Sequence, residues 1–481
     1  MFKVSKEEET TMVRNLLVLA ATLIGFTGCG PSSQSFLKST KQDNKPVYVR
    51  VPKTLVTQEW VQSTGFNRDH ASSDEYALGW LPSNILGGMT PSESSGIIKL
   101  DALAVTEGRF DPFQLKEIAK PSDEPAPAED YHNYQALTDE LRNLADSHPD
   151  IARLTSVGKS AQGREIWMIT ISDNVDRDER EPKLLYIANM HGDEVVGREI
   201  SIYHIRRLLK EYGKNARVTN LVNNSKMFII ASMNPDGFEL RQRHSSRGVD
   251  LNRDFPDFTS DDFDSPNGRA IETKAIMDLH SQHHFAASVN YHGGEVCFNL
   301  PWDTKPNRSA SERFGDDPLL RSMGRAWADS NPTMEANRTF DRGLTYGYEW
   351  YEVDGGMQDW SIWYRRSMHA TVELSYIKWP SASYLTTAWR ENQEAMLAYH
   401  ERALTGVHLE VVDAQGRPVP SFEVSIGSAN RTVRYDHGYA HRPTLDGPQD
   451  VTISVNGRTV GTLTKTARAF DGTFDRVVVG K

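Results

Sequence analysis

Four polar residues spread over nearly two hundred positions are of the types that metal-assisted hydrolysis requires: His191 and Glu194 in HGDE, His292 in NYHGG, and Glu373 in VELS. Two imidazoles and one carboxylate can hold a zinc ion, leave a coordination position open for water, and stand beside a second carboxylate able to take that water's proton. His191 and Glu194 are three residues apart, a spacing common by chance, so the pair means little until His292 joins it. The ordinary alternative for His292 is a core histidine bonded to backbone. Gly293 and Gly294 beside it weigh against that by leaving room for a substrate. His280, His283 and His284 in DLHSQHHF are a competing cluster, read as helix-end and surface histidines that precede the strand carrying His292.

To meet, these residues must sit where strands leave a common sheet. The mostly apolar KLLYIANM delivers His191, KMFIIAS delivers Asn234-Pro235-Asp236-Gly237, FAASVNY delivers His292 and HATVEL delivers Glu373. Such runs predict buried strands of an open, mostly parallel α/β sheet, whose strand ends are the usual functional positions. YHNYQALTDELRNLADSHPD is predicted as an amphipathic helix with Leu137, Leu141 and Leu144 on one face, followed by strands at Ile151 to Val157 and Ile166 to Ile171. Behind Glu194, residues Val196, Ile200, Tyr203 and Leu208 are spaced for a buried helical stripe.

With NPDG and GVDLNRDF between the first fragment and the last, residues 131–402 resemble the M14 zinc carboxypeptidases, and more closely the branch with a transthyretin-like β-sandwich after the catalytic domain. The resemblance implies an α/β fold, a mixed, mostly parallel central sheet with helices on both faces, plus a small C-terminal all-β sandwich. It implies one zinc ion per chain, held by His191, Glu194 and His292, and removal of the last residue from a peptide with a free C-terminus. Glu373 falls on the catalytic carboxylate. Arg243, seven residues before Asp250, falls on the arginine that polarises the scissile carbonyl. Asn252 and Arg253 fall where the terminal carboxylate is gripped, and Tyr351 in YEVDGGMQDW falls on the tyrosine that closes over the substrate. A planar guanidinium can hold a carboxylate bidentately, which suits Arg253 to that task.

In the branch resembled, an aspartate eleven residues after the third zinc ligand and a glutamine after GGM line the pocket for the last side chain; Asp303 and Gln358 fall at these places, so the resemblance implies a preference for a C-terminal Lys or Arg, whose charge would pair a carboxylate that is expensive to bury alone. Against this, Asp303 can simply cap a turn after Pro301. The competing activity is a cell-wall stem-peptide carboxypeptidase or amidase, because wall peptides also end in a carboxylate and carry diamino acids. A binding module worked by the C-terminal strands is the contrasting non-enzyme reading, opposed by the complete catalytic set. Three details stand apart from the common pattern or need placing: Asp254 stands where Asn is usual, Asp193 replaces an Asn near the metal, and Cys297 reads as a buried small hydrophobe.

The 481 residues are enough for more than one domain, and 65 acidic against 54 basic residues, net −11, argue against a nucleic-acid partner. Two cysteines, Cys29 and Cys297, exclude a disulfide framework. LLVLAATLIGF, followed by Thr27-Gly28-Cys29, is too short for a permanent span and reads as an export signal over residues 1–28. It resembles a bacterial lipoprotein signal in which Cys29 is lipidated, giving an exported protein tethered at the membrane, facing the periplasm or cell surface. Phe26 and Lys6-Glu7-Glu8-Glu9 depart from that pattern, and Met12 offers a more ordinary start. Residues 29–130 are left as a tether and an unassigned segment, in which VYVRVPKTLV and IIKLDALAV are strands either of a small prodomain or of an extra layer. The acid- and Pro-rich stretch 119–130 reads as a linker. From residue 405 to 481 the pattern alternates with period two between turns at Gln415-Gly416 and Asn456-Gly457, as a small sandwich requires. A monomer is expected.

Overall fold

The computed structural model describes residues 46–73, 75–107, 110–113, 116–117, 131–261, 263–304, 315–427 and 432–480. The expected leader at 1–28, the lipidation candidate Cys29, the tether at 31–45 and the linker at 119–130 lie outside them. Among the described residues, no helix is long and apolar enough to cross a membrane.

The first four strands are β1 (Val47–Pro52), β2 (Asn67–Ser72), β3 (Tyr76–Leu81) and β4 (Ile98–Lys99), forming a sheet in the order β2-β3-β1-β4. Val49, Val51, Ala77 and Leu81 bury its inner face with Phe66. A short hairpin follows, β5 (Phe110–Asp111) with β6 (Lys116–Glu117).

The central sheet has eight strands: β7 (Ala152–Lys159), β8 (Glu165–Ile171), β9 (Lys183–Ala188), β10 (Lys226–Ile230), β11 (Ala287–His292), β12 (Glu295–Leu300), β13 (Leu344–Tyr346) and β14 (Met368–Ser375). Their order is β13-β12-β14-β11-β9-β10-β8-β7. The inner strands β10, β9, β11 and β14 run parallel, whereas β12, β8 and β7 are antiparallel to their inner neighbours. Alternation explains the continuous apolar runs. In β9, Leu184, Tyr186 and Ala188 enter one core and Leu185 and Ile187 the other, so both faces need apolar cover.

Helices supply that cover on both sides. Tyr134–Ser147 is capped by Asn133, whose side chain accepts from the Ala136 N–H, and buries Leu137 and Leu141 in the first core; such a cap stabilises by about 1 kcal/mol. Val196–Glu211 buries Val196, Ile200 and Leu208 there, while Tyr203 of the expected stripe is only half-buried, edge-on to Trp389. Ile271–Gln282 and Met357–Trp363 cover the second core with Ile276, Leu279, Met357 and Trp360.

The long helix Tyr384–Leu404 runs directly into the C-terminal strands: β15 (Thr405–Val412), β16 (Ser421–Ile426), β17 (Val433–Asp436), β18 (Tyr439–Pro443), β19 (Gly447–Val455), β20 (Arg458–Ala469) and β21 (Asp475–Val478). Strand β20 pairs with β19 over most of its length and with β15 at its end, which joins two layers around Val407, Leu409, Phe422, Val424, Val451 and Ile453. A buried Arg442 Nη2 donates to Asp316 Oδ1 at 2.6 Å and fastens this unit to the α/β body.

Candidate active site

Strand ends bring the four residues together. His292 is the last residue of β11 and stands in register with Glu373 of the parallel neighbour β14, while His191 and Glu194 lie in the turn between β9 and the helix Val196–Glu211. All four are buried. His292 Nδ1 is 3.0 Å from His191 Nδ1 and 2.8 Å from Glu194 Oε2, and His191 Nδ1 is 3.0 Å from the same carboxylate oxygen. Ligands about 2.1 Å from one tetrahedral ion stand roughly 3.4 Å apart, so these three atoms fit a single zinc with little adjustment. The outward nitrogens are also engaged: His191 Nε2 with Asp250 Oδ1 at 3.1 Å, and His292 Nε2 with Asn290 Nδ2 at 2.8 Å. Partners of this kind fix ring orientation in metal sites.

Protonation suits the donors. Burial holds the His292 imidazole at about 4, so it offers a neutral lone pair. Burial pushes Glu194 up, but His191, Lys378, His70 and His292 outweigh it and hold this carboxyl well below its ordinary value. Glu373 goes the other way, raised well above its ordinary value by burial and then by the charge of Glu194.

Asp250 ties the arginine to the histidine. Its Oδ2 accepts from Arg243 Nε at 2.9 Å and its Oδ1 from the Asn252 N–H at 3.0 Å, which also starts the short helix Leu251–Arg253. Arg243 is fully buried, with Nη1 3.4 Å from Glu194 Oε1. The NPDG turn holds the loop leading to it: Asn234 Oδ1 accepts from Gly237 N, and Asp236 accepts from Ser160, Arg164, Ser246 and the Gln162 N–H. Asn252 Oδ1 accepts from Met357 N at 3.0 Å, and Tyr351 is buried with its hydroxyl 2.6 Å from His70 Nδ1.

A small cavity beside Glu373 is lined by Asn252, Asn299, Asp303, Gly347 and Tyr351. Asp303 does not act as a turn cap there: its Oδ1 accepts from Asn299 Nδ2 at 2.7 Å and from Gln358 Nε2 at 3.0 Å. Gln358 is itself fixed by accepting from the Thr371 N–H at 2.7 Å. A Cβ at Gly347 would fall 1.9 Å from Asp303 Oδ1, so this carboxylate needs glycine opposite it. Burial pushes Asp303 up to about 6, against the pull of the Asn299 hydrogen bond and the charge of Arg253.

The remaining expectations separate. Asp254 accepts from the Ala270 N–H at 2.7 Å, leaving Arg253 Nη1 to donate to Asn252 O. Asp193 is buried 4.0 Å from Lys378 Nζ and is not among the residues grouped around the metal position. Cys297 on β12 is buried and free, and stands in register with Glu373 of β14. Of the histidines read as helix-end and surface residues, His280 and His283 do lie at the end of the helix Ile271–Gln282, but His280 is buried edge-on to Trp360 and Phe285, while His283 and His284 are half-buried against Phe228 and Tyr435.

Sequence reasoning missed the contribution of β2. His70 joins His191, Glu194 and His292 in one group of possible metal donors, and Asp69 accepts from Lys378 Nζ at 2.6 Å. The short polar run NRDHAS has no apolar strand leading into it, and only the tertiary placement reveals it.

The sequence model of the family described as Zinc carboxypeptidase matches residues 137–395. Carboxypeptidase SOL1 of Arabidopsis thaliana is 38% identical over 333 residues, 68% of each chain. Carboxypeptidase D of Homo sapiens is 33% identical over 388 residues, covering 76% of this chain; the alignment spans 27% of that longer protein. In fold, the chain is similar to the crystal structure of carboxypeptidase A from Helicoverpa armigera, with a TM-score of 0.54 at 17% identity, covering 75% of this chain and 98% of that one.

Proposed function

The chain belongs to the zinc carboxypeptidase family, and from that premise we propose that it removes a C-terminal Lys or Arg from peptides. The observation that carries the preference is Asp303, a buried carboxylate held by Asn299 and Gln358 beside Glu373. Zinc, when bound by His191, Glu194 and His292, supplies the Lewis acidity that makes water a competent nucleophile near neutral pH. Glu373 takes the proton of the attacking water and returns it to the leaving nitrogen. Arg243, held by Asp250, faces the negative charge that develops on the carbonyl oxygen. Asn252 and Arg253 hold the terminal carboxylate, Tyr351 closes over it, and Asp303 pairs with the cationic side chain.

In the same reading the strands from Thr405 onward are a transthyretin-like module that steadies the enzyme, and the apolar run at 16–26 is an export signal ending at a lipidated Cys29. The support is the period-two pattern and the composition of those stretches.

The test is release of the last residue from acylated dipeptides ending in Arg, Lys, Phe, Leu or diaminopimelate, with and without a chelator. Release of Arg and Lys, abolished by chelation and restored by zinc, is the expected result. Preference for diaminopimelate would move the substrate to wall peptides, and equal release of Phe would remove the role of Asp303.

Asp303 also sets a pH dependence. Its carboxyl is raised to about 6 in the free enzyme, so the charge that attracts a guanidinium is present above that pH and lost as pH falls through it. For an Arg-ended substrate kcat/KM should fall about tenfold per pH unit below that point, relative to a Phe-ended one, because kcat/KM reports groups of the free enzyme. Parallel profiles for the two substrates would contradict this.

A further inference from the structure

His408 and His441 stand directly opposite one another on the antiparallel strands β15 and β18 of the C-terminal module. Their Nδ1 atoms face each other at 3.1 Å. The outer nitrogens meet carbonyls: His408 Nε2 is 3.0 Å from Arg468 O, and His441 Nε2 is 2.7 Å from Arg180 O. The result is a chain of three contacts, carbonyl to ring, ring to ring and ring to carbonyl. A carbonyl oxygen only accepts and a neutral imidazole carries one N–H, so two rings bring two protons to three contacts. Whichever tautomers are chosen, two lone pairs oppose each other at one of them. One more cation is needed, and with both Nε2–H groups donating outward its place is between the Nδ1 atoms.

A third proton does not suit that place. His408 is 2% exposed, and burial, against the pull of the Arg468 carbonyl, holds it at about 4. Asp471 and Asp475 also pull its pKa upward without restoring it. Burial and then the ring of His408 hold His441 at about 3, and His284 and Arg468 add to the effect. The phenyl ring of Phe470 packs on both imidazoles, and that of Phe474 on His441.

A metal ion suits it better. The separation is close to that of the catalytic pair, His191 and His292, whose Nδ1 atoms are 3.0 Å apart. An ion about 2.0 Å from each nitrogen would hold them at roughly 100°, between a square and a tetrahedral corner. Carbonyls on the far nitrogens are the usual outer partners of metal-bound imidazoles. Among the described residues no His, Cys, Asp or Glu adds a third donor atom within 4.8 Å of both, and two neutral imidazoles suit copper or zinc, not magnesium or calcium. His441 also lines a cavity between the module and the α/β body with His283, His284, Tyr435 and Tyr439, which leaves room for water to complete the coordination.

We propose that His408 and His441 are the protein ligands of a second metal site, for a divalent transition ion such as Cu2+, set in the joint between the C-terminal module and the α/β body. This does not rest on the peptidase reading. Arg180 belongs to the loop between β8 and β9, and its guanidinium lies 3.9 Å over the ring of Tyr439, two residues before His441. An ion that fixes both rings therefore fastens β15, β18 and that loop together, and an ion bound only by the folded chain stabilises it.

The test uses the full chain with zinc in its catalytic site, as wild type, His441→Gln and, in case that change disturbs folding, His408→Gln. The probe is Cu2+. The wild type should take up one copper per chain with its zinc retained, show imidazole nitrogen coupling by electron paramagnetic resonance, and melt at a higher temperature with copper than without. Either variant should lose the thermal gain and about tenfold or more in copper affinity, at least what removing an outer partner of a metal ligand costs. Hydrolysis of an acylated dipeptide ending in Arg should be unchanged in both. Equal copper uptake by the wild type and both variants would overturn the assignment by putting the ion elsewhere. No uptake by the wild type would also overturn it, and a proton shared by the two rings in the NMR spectrum would then be the cation between them. Uptake and melting are read without substrate, so they decide the site even if no form of the chain hydrolyses a peptide.

Discussion

Glu373→Gln should lower kcat by about 10²–10⁴-fold while the chain keeps one zinc ion. Glu373 is fully buried at the centre of the sheet, opposite His292 in register, and lies outside the set of grouped metal donors. An amide of the same shape preserves the packing but cannot accept a proton from water, and the effect belongs at the upper end of the range because one carboxylate both takes and returns it. Folding should survive. Neither oxygen of Glu373 is aligned for a hydrogen bond, although His70 Nδ1 is 2.9 Å away, so the amide breaks no hydrogen bond on which the fold depends. Metal content should be measured on the variant and on its parent. A variant within tenfold of its parent would place the base elsewhere, and loss of zinc together with activity would make Glu373 a ligand.

The legibility of the site follows from how each residue is positioned. His191, His292 and Glu373 close mostly apolar runs, because a strand buried on both faces must be largely apolar, and the polar residues inside β11 and β14 are tolerated by bonding to one another, Ser288 with His369 and Asn290 with His369 and Thr371. Arg243, Asn252, Tyr351 and Gln358 sit in loops and short helices whose local sequence carries no period, so only the resemblance pointed to them. Asp250 served there as a landmark, and the structure makes it the group joining His191, Arg243, Asn252 and Asn67. His70 was illegible for a physical reason. Its position depends on a register slip in an edge strand and on partners at Glu194 and Glu373, more than a hundred residues away. The segment was left open between a prodomain and an extra layer, and what the structure adds is the contact of β2 with Asp250, Arg253 and Tyr351.

Asp303→Asn should cost about 10–10²-fold in kcat/KM toward an Arg-ended substrate, the 1.5–3 kcal/mol of a hydrogen bond to a charged group, while a Phe- or Leu-ended substrate changes by less than about threefold. The substitution is close to isosteric. Oδ1 can continue to accept from Asn299 and Gln358, and Gly347 leaves the same space, so the wall of the cavity is preserved and only the charge is withdrawn. Burial works against the ionised form of Asp303 in the free enzyme, raising it to about 6, and this is what makes the site selective. A neutral side chain leaves the buried charge unpaired, whereas a guanidinium or ammonium neutralises it. Gln358→Ala should reproduce part of the loss by freeing Asp303 to rotate. An equal fall for Arg- and Phe-ended substrates would make Asp303 a packing residue, and no fall for either would remove the preference for a basic C-terminal residue.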